Sequence, residues 1–573
     1  MPRLDPSRKL AGMLVPVFAL RHGRDFGIGD TLAVRQAIDF CAEMGFAVLQ
    51  ILPIHETIGD HSPYNPISSR ALAPALLTLT PEEVPGLVKE EMKEAAPESW
   101  LAQLRAGSVK QNSVQPLKLQ ILLAAHRAFV ATNPPGSPLW EEFQAFQKEQ
   151  PWLPAYTLYR LLIREYEGNP NWMEWRPEHQ ALASAETWFS RHKARLALAE
   201  LREGYAYIQW VASRQWRAVR AYADERNILL MGEMSFGVGR CSVDVWAWRE
   251  LFDLEWNMGT RPVAYFDTNK DSERWGQNWG LPTYRWENHR STKFAWLRGR
   301  VQTEKQFFHI CRLDHLRGYF RGYQFPWSGG AVHAEFATLT EEEVREKTGG
   351  KMPRFVPGPD DDPSTAKMND LLGRELIGVM QEAAGEMQLI AELMGAMPDY
   401  MRRAIDDLAL ANLTFPQLER KPDRSLFPRE HMRVLSLVAY GNHDHAPIAA
   451  WYLHLVEAAK ADPKGTAAID LANLMKFIGW TGPAPEKLDD ALLAAMQRAL
   501  FETPCFLAGL MSSDVLGNAQ RFNLPGSYGA GTWSERLELP LADYVDHPVY
   551  GPRLETLKKL LRDTARSSHA KAV

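Results

Sequence analysis

The fold is decided by the stretch Lys305-Gln-Phe-Phe-His-Ile-Cys-Arg-Leu-Asp-His-Leu-Arg-Gly-Tyr-Phe320. It begins apolar and then becomes charged, which predicts a buried strand that delivers charged groups to its C-terminal end. Residues two apart on a strand share a face, so Arg312 and Asp314 should touch. A guanidinium lowers the pKa of a neighbouring carboxyl group and leaves a potential nucleophile ionised. An ordinary ion pair on an exposed strand would give the same pattern.

The segment resembles the fourth strand of the amylomaltases, which are 4-α-glucanotransferases built on an α-amylase-like barrel. Their pattern is Arg-Ile-Asp-His-Phe-Arg-Gly-Phe, and here it is Arg312-Leu-Asp-His-Leu-Arg-Gly-Tyr319. The resemblance implies that Asp314 is the catalytic nucleophile and that Arg312 holds it ionised beside the sugar.

The composition fits a large globular enzyme with a neutral ligand. The chain has 573 residues and is 45% hydrophobic, which is ample for a sizeable core. Lys and Arg total 65 against 70 Asp and Glu, with no long basic run, so neither nucleic acid nor an anionic membrane is expected as a partner. The 19 Trp and 17 Tyr provide flat faces with a polar edge, which suit sugar rings, although most should be core.

The four cysteines are far apart and indicate neither a disulfide framework nor a zinc site, so a cytoplasmic location is expected. The apolar run 11–20 mimics a signal peptide, but Pro16 interrupts it and no small-residue cleavage site follows. We interpret it as the first barrel strand. It is also too short to span a membrane.

Strands alternate with helices along the chain. A helix over 31–44 precedes a strand over 46–52, and further strands are expected over 228–234, 387–392 and 434–440. The fold class is therefore α/β, a (β/α)8 TIM barrel with largely helical insertions and no C-terminal β-sandwich domain, because the chain ends in a helical stretch.

The whole chain, 1–573, is expected to form a single catalytic barrel domain. Four segments are predicted to interrupt it: a helical insertion subdomain over 81–205, a loop-rich insertion over 234–290, a lid or loop over 331–363 and a small helical insertion over 460–502.

Two further carboxylates follow strands. Glu392 ends the strand 387–392 and resembles the acid/base Glu of the family's Ala-Glu-Asp-Leu-Gly, although Leu393 stands where the family has Asp and a lone Glu here is often a cap. His443 and Asp444 match the family's Gly-Thr-His-Asp-Asn-Asp-Thr, and His445 departs from it. The His-Asp-His run could also hold a metal, but adjacent strand residues point to opposite faces and a third ligand is not evident. We expect no metal and no cofactor.

Other positions inherit sugar-binding roles from the resemblance. Tyr64 lies in Ser62-Pro-Tyr-Asn65, whose tyrosine lines the family's sugar site, and Trp279 lies in a motif whose aromatic residues face the glucan. Asn523 falls where the family contacts sugar. Cys241 occupies a position where the family has a sugar-site Asp.

The segment that contains Cys241 aligns without a gap on the family's Gly-Asp-x-Pro-Ile-Tyr-Val-Ala-x-Asp, which also sets Glu233 opposite an Asp. A thiol is a weak donor and a weaker acceptor, so a charged hydrogen bond is expected to be lost unless Glu233 or Asp244 supplies the oxygen. Alternatively, the loop has moved and Cys241 is a small buried residue.

Three carboxylates at strand ends suit a retaining glycosidic reaction. Asp314 would attack the anomeric carbon, Glu392 would act as acid and base, and Asp444 would steady the oxocarbenium-like state. The carboxyl groups of Asp314 and Glu392 should lie about 5–5.5 Å apart. Residue types leave open an α-glucan hydrolase or a non-catalytic glucan-binding relative. The resemblance favours a 4-α-glucanotransferase acting on maltodextrins.

Overall fold

The computed structural model describes residues 7–59, 61–262, 274–393, 397–421, 425–525 and 531–568. Its centre is a closed barrel of eight parallel strands whose order around the barrel follows the chain. The strands, in order, are Leu10–Leu14, Val48–Gln50, Leu229–Met234, Ile310–Leu313, Gln388–Glu392, Ala411–Thr414, Ser436–Val438 and Leu507–Met511. The predicted (β/α)8 TIM barrel is confirmed.

Every strand contributes an apolar side chain to the packed interior of the barrel. These buried residues are Leu10, Val48, Met231, Ile310, Ile390, Leu413, Leu437 and Leu507. The barrel is closed by the parallel pairing of the first and eighth strands, in the register Leu10↔Leu507 to Leu14↔Met511. A filled barrel leaves the chemistry to the residues at the C-terminal ends of the strands.

Helices surround the barrel. The first, Thr31–Met44, begins where the Asp30 side chain accepts the backbone N–H groups of Leu32 and Ala33, and it ends at Gly45, whose φ is 87°. The other helices outside the four predicted insertions are Ala295–Phe307, Arg317–Phe320, Pro363–Ala384, Asp399–Asp407, Ile448–Ala461, Ser512–Leu516 and Tyr550–Asp563. Across the described ranges, none of the helices has the length and apolar character needed to cross a bilayer.

The segment 81–205 is helical. It contains Lys89–Ala95, Glu98–Arg105, Gln111–Thr132, Pro138–Glu149, Leu153–Glu165 and Leu182–Arg191. The helix Arg195–Glu225 begins within it and ends shortly before the third strand. The segment 460–502 contains the helices Thr466–Ile478 and Asp490–Phe501.

A second sheet differs from the sequence prediction. Four antiparallel strands pair in the order Gln277–Tyr284, Phe252–Thr260, Gly322–Phe325 and Arg354–Val356. The first two belong to the segment 234–290, which was predicted to be loop-rich. Its strand Gln277–Tyr284 contains Pro282. An edge strand tolerates proline, which has no backbone N–H, because the outward-facing N–H groups of such a strand pair with no other strand.

The segments 234–290 and 331–363 also contain short helices. In the first these are Val243–Ala247 and Trp286–Ser291, and in the second Ala331–Phe336 and Glu341–Lys347. The expected lid or loop at 331–363 is therefore built from two helices and the strand Arg354–Val356. In the described part of the chain, a C-terminal β-sandwich is not present after the eighth strand.

Candidate active site

The fourth, fifth and seventh barrel strands deliver carboxylates to one end of the barrel. Asp314 follows the fourth strand directly, and Glu392 is the last residue of the fifth. Asp444 lies in the loop after the seventh strand. Parallel strands have their C-terminal ends at the same edge, so these side chains converge.

Arg312 is the centre of the cluster. Its side chain is only 1% exposed, and its Nη1 lies 3.2 Å from Oδ1 of Asp314, as the two-residue spacing on the strand predicts. Its Nη2 lies 2.8 Å from Oε1 of Glu392. Nη1 also pairs with Oε1 of Glu233. One guanidinium group therefore holds three carboxylates.

The two central carboxyl groups differ in how well their negative charges are stabilised. Burial and the negative charge of Glu392 raise the pKa of Asp314 to about 7, against the opposing effect of Arg312. Burial also acts to raise the pKa of Glu392. Arg312 and the backbone N–H of His315, which donates to Oε2 at 2.8 Å, outweigh burial and lower it.

This distribution is the reverse of the sequence expectation, in which Arg312 holds Asp314 ionised and Glu392 acts first as the acid, which requires its proton. The reason is geometric, since Arg312 lies closer to Glu392 than to Asp314 and the backbone N–H of His315 donates a hydrogen bond to Glu392. Between the lowered pKa of Glu392 and about pH 7, the two groups together hold one proton.

Asp444 is ionised. Burial acts to raise its pKa, but His443, whose Nε2 lies 3.2 Å from Oδ2, and Arg312 hold that pKa well below the usual range. The other oxygen, Oδ1, accepts a hydrogen bond from Nδ2 of Asn523 at 2.6 Å. Thr532 donates to Oδ1 of Asn523 at 3.0 Å and so fixes the orientation of the amide.

Tyr64 joins the cluster from the loop after the second strand. Its ring stacks on His443 with centroids 5.0 Å apart, and its hydroxyl donates to Oε1 of Glu233 at 2.6 Å. Trp533 packs against both rings, with centroids 5.8 Å from each. We did not identify Trp533 from the sequence.

Trp279 stands beside the carboxylates. It lies on the edge strand Gln277–Tyr284 of the antiparallel sheet. Its ring is nearly perpendicular to that of His315, with the ring centroids 4.8 Å apart. His315 is the residue after Asp314 and has a φ of 43°. Trp279 is partly exposed.

Cys241 points elsewhere. Its thiol donates to Oδ1 of Asn171 at 3.6 Å, and its backbone oxygen accepts the hydroxyl of Tyr159 at 2.8 Å. Both partners belong to the helical segment 81–205. Oδ1 of Asp244 accepts the Ser69 hydroxyl and the Trp296 ring N–H, and Oδ2 accepts the Ser69 backbone N–H, so both oxygens already have partners. The sugar-binding role of Cys241 stays a prediction.

The histidines around Asp444 are engaged with neighbouring side chains. His443 contacts Asp444 and Tyr64, and His445 lies 2.7 Å from Oδ1 of Asn442 through its Nδ1. Within the ranges described above, no group of three or more His, Cys, Asp or Glu side chains is arranged to hold a metal ion.

Comparison with known proteins identifies the family. The sequence model of the family described as 4-alpha-glucanotransferase matches residues 15–541. The chain is 26% identical to the 4-alpha-glucanotransferase of Chlamydia pneumoniae, over 95% of this chain and 94% of that protein. It is 28% identical to the enzyme of Thermus thermophilus, over 88% and 90% of the two chains.

A solved structure, the amylomaltase from Streptococcus agalactiae in complex with acarbose, superimposes with a TM-score of 0.72 at 18% identity. The alignment covers 98% of this chain and 100% of that one, which shows a shared fold. The family match extends from the end of the first barrel strand to beyond the eighth. It shows that the chain belongs to the 4-alpha-glucanotransferase family, the enzymes that transfer segments of α-1,4-glucan.

Proposed function

We propose that this enzyme transfers glucan segments between maltodextrins by a retaining double displacement, with Asp314 as nucleophile and Glu392 as acid and base. The observation that carries the proposal is the contact of one Arg312 guanidinium with both carboxyl groups, at 3.2 Å and 2.8 Å. Two carboxyl groups held by the same guanidinium group suit attack on the anomeric carbon by one group while the other protonates the leaving oxygen.

The first step forms a glycosyl-enzyme. An oxygen of Asp314 bonds to the anomeric carbon, the glycosidic C–O bond breaks, and the proton of Glu392 passes to the leaving glucan. In the second step Glu392 takes the proton from the 4-hydroxyl group of an acceptor glucan, whose oxygen displaces Asp314. Two inversions give net retention.

The reaction requires the shared proton to reside on Glu392 while Asp314 is ionised. Positive charge that develops at the anomeric carbon favours ionised Asp314, and the leaving oxygen favours a protonated Glu392 beside it. Between the lowered pKa of Glu392 and about pH 7 the pair already holds one proton, so the reactive state differs only in where that proton lies.

Asp444, His443, Asn523 and Tyr64 are proposed to bind the sugar at the cleavage point. Asp444 supplies a negative charge near the oxocarbenium-like carbon, and its low pKa keeps that charge at working pH. Arg312 positions both reacting carboxylates.

Trp279 is proposed to stack against a glucose ring, and Trp279→Ala should raise the KM for maltotriose about tenfold with little change in kcat. The side chain contributes apolar contact to substrate and transition state alike, so its loss weakens both equally. Trp275→Ala is the matched control, because Trp275 lies nearby but donates to the backbone oxygen of Phe336. An unchanged KM in a folded Trp279→Ala variant would exclude the stacking role.

Incubation with maltotriose tests the proposed activity. We expect a ladder of longer glucans together with glucose, because a second glucan resolves the intermediate. Glucose and maltose alone would identify a hydrolase, and an unchanged substrate that still binds would identify a glucan-binding protein. Chromatography of the products over time separates the three outcomes.

We also propose that the enzyme works in the reducing cytoplasm. Four free cysteines occur in the described ranges, and Cys41, Cys311 and Cys505 are buried. Burial raises the pKa of Cys41 and Cys311, which keeps them as inert thiols in the core.

A further inference from the structure

A fourth carboxylate is part of the catalytic cluster. Glu233 lies in the third strand, Leu229–Met234, and its side chain is fully buried. In the register between the third and fourth strands, Glu233 is the partner of Arg312. Residues paired across neighbouring parallel strands share a face, which explains why the two side chains meet inside the barrel.

Glu233 makes two contacts through a single oxygen. Oε1 pairs with Nη1 of Arg312, the same nitrogen that contacts Asp314, and it accepts the hydroxyl of Tyr64 at 2.6 Å. Burial holds the pKa of Tyr64 well above its usual range, so the hydroxyl remains a donor. The other oxygen, Oε2, is buried and has no hydrogen-bond partner among the described residues.

The charges around Glu233 determine its effect. Arg312 and Tyr64 contact it directly. Asp314 and Glu392 lie across Arg312, His443 lies across Tyr64, and the charge of Asp444 acts on both Arg312 and Tyr64. Arg312 carries one positive charge and faces three carboxylates. The negative charge of Glu233 therefore offsets part of the attraction that Arg312 exerts on Asp314 and Glu392.

We propose that Glu233 is a positioning residue with two effects: it fixes Arg312 and Tyr64 against each other, and its charge competes with Asp314 and Glu392 for the single positive charge of Arg312. The inference rests on the proposed roles of Asp314 and Glu392. Glu233 itself is buried and takes no part in bond formation.

The test compares Glu233→Gln with Glu233→Asp. Glu233→Gln keeps the size and removes the charge, so both limbs of the pH profile of kcat/KM should shift to lower pH by about one unit. Glu233→Asp keeps the charge but shortens the reach, so its profile should keep its position while kcat falls, by as much as about 100-fold, because Arg312 and Tyr64 are held less well.

Glu56→Gln is the matched control. Glu56 is another buried glutamate, which accepts the hydroxyl of Tyr156 at 2.5 Å and lies 3.4 Å from Nε of Arg160, outside the carboxylate cluster. We expect this variant to lose thermal stability and to keep the pH profile of the wild type. If the role of Glu233 were only structural, Glu233→Gln would likewise lose thermal stability and keep the pH profile of the wild type.

An unshifted profile in Glu233→Gln would therefore overturn the inference, whether or not the overall rate falls. The same is true if Glu233→Asp shifts the profile as far as Glu233→Gln does. Failure of the proposed mechanism is distinguished separately, because that failure appears as retained activity in Asp314→Asn.

Discussion

Asp314→Asn is expected to lower the rate of glucan transfer by more than about 10³-fold, a loss of more than about 4 kcal/mol of transition-state stabilisation. An amide cannot form the glycosyl-enzyme ester, so the double displacement loses its first step. Glucan binding should be largely retained because Asn has nearly the same shape, and Arg312 keeps its contacts with Glu233 and Glu392.

The measurement is the initial rate of maltotriose disproportionation, with glucan binding followed by calorimetry. Asp224→Asn is the matched control. Asp224 lies 3.0 Å from Nε2 of His309, just before the fourth strand, whereas Asp314 follows that strand. Asp224→Asn makes the same chemical change beside the N-terminal end of the fourth strand, and it should leave the rate unchanged. If Asp314→Asn kept more than about a tenth of the activity, Asp314 would not be the nucleophile.

The stability of this variant has a predictable sign. The folded-state pKa of Asp314 is raised to about 7, whereas an unfolded chain has an Asp pKa of about 3.9. Between these values the folded state retains a proton that the unfolded state has lost, so this group's contribution to stability falls as pH rises from about 4 to about 7. Asn does not ionise, so it avoids the free-energy cost of burying a carboxylate. At pH 8 the melting temperature of Asp314→Asn should therefore equal or exceed that of the wild type.

The barrel could be predicted wherever its strands are continuous and apolar. The third strand was expected over 228–234 and is observed as Leu229–Met234. The sixth strand, Ala411–Thr414, was not identified because Asn412 and Thr414 interrupt its apolar character. The antiparallel strand Gln277–Tyr284 contains glycine and proline, which normally indicate a loop, and only its pairing partners make it a strand.

The candidate site could be predicted in part. The contact between Arg312 and Asp314 follows from their spacing on one strand, which is a local property. The contact between Arg312 and Glu233 depends on the register of two strands about 80 residues apart in sequence, and a single sequence does not determine that register. The proton distribution depends on distances of a few tenths of an ångström, and the direction of the Cys241 thiol depends on how the helical segment packs.

Glu392→Gln is expected to abolish the transfer of maltodextrin segments, also by more than about 10³-fold, and to leave the first step intact for one kind of substrate. A glucosyl leaving group needs a proton from Glu392 as the bond breaks. Fluoride is a good leaving group and departs without being protonated. α-Maltosyl fluoride should therefore still glycosylate Asp314 in this variant.

The second step then becomes the block, because no base is present to activate the acceptor hydroxyl. The glycosyl-enzyme should accumulate, and mass spectrometry of the intact protein should detect the added maltosyl mass. Azide is already an anion and needs no base, so it should release the intermediate as α-maltosyl azide, with the anomeric configuration retained.

The double variant Asp314→Asn/Glu392→Gln provides the control, because it lacks the carboxylate that forms the ester. We expect it to form no adduct with α-maltosyl fluoride. Two results would contradict the assignment of Glu392: normal disproportionation of maltotriose by Glu392→Gln, or an azide product of inverted configuration. Inversion would mean that azide displaces fluoride directly, without a covalent glycosyl-enzyme. The mechanism would then not need the two carboxyl groups that share Arg312.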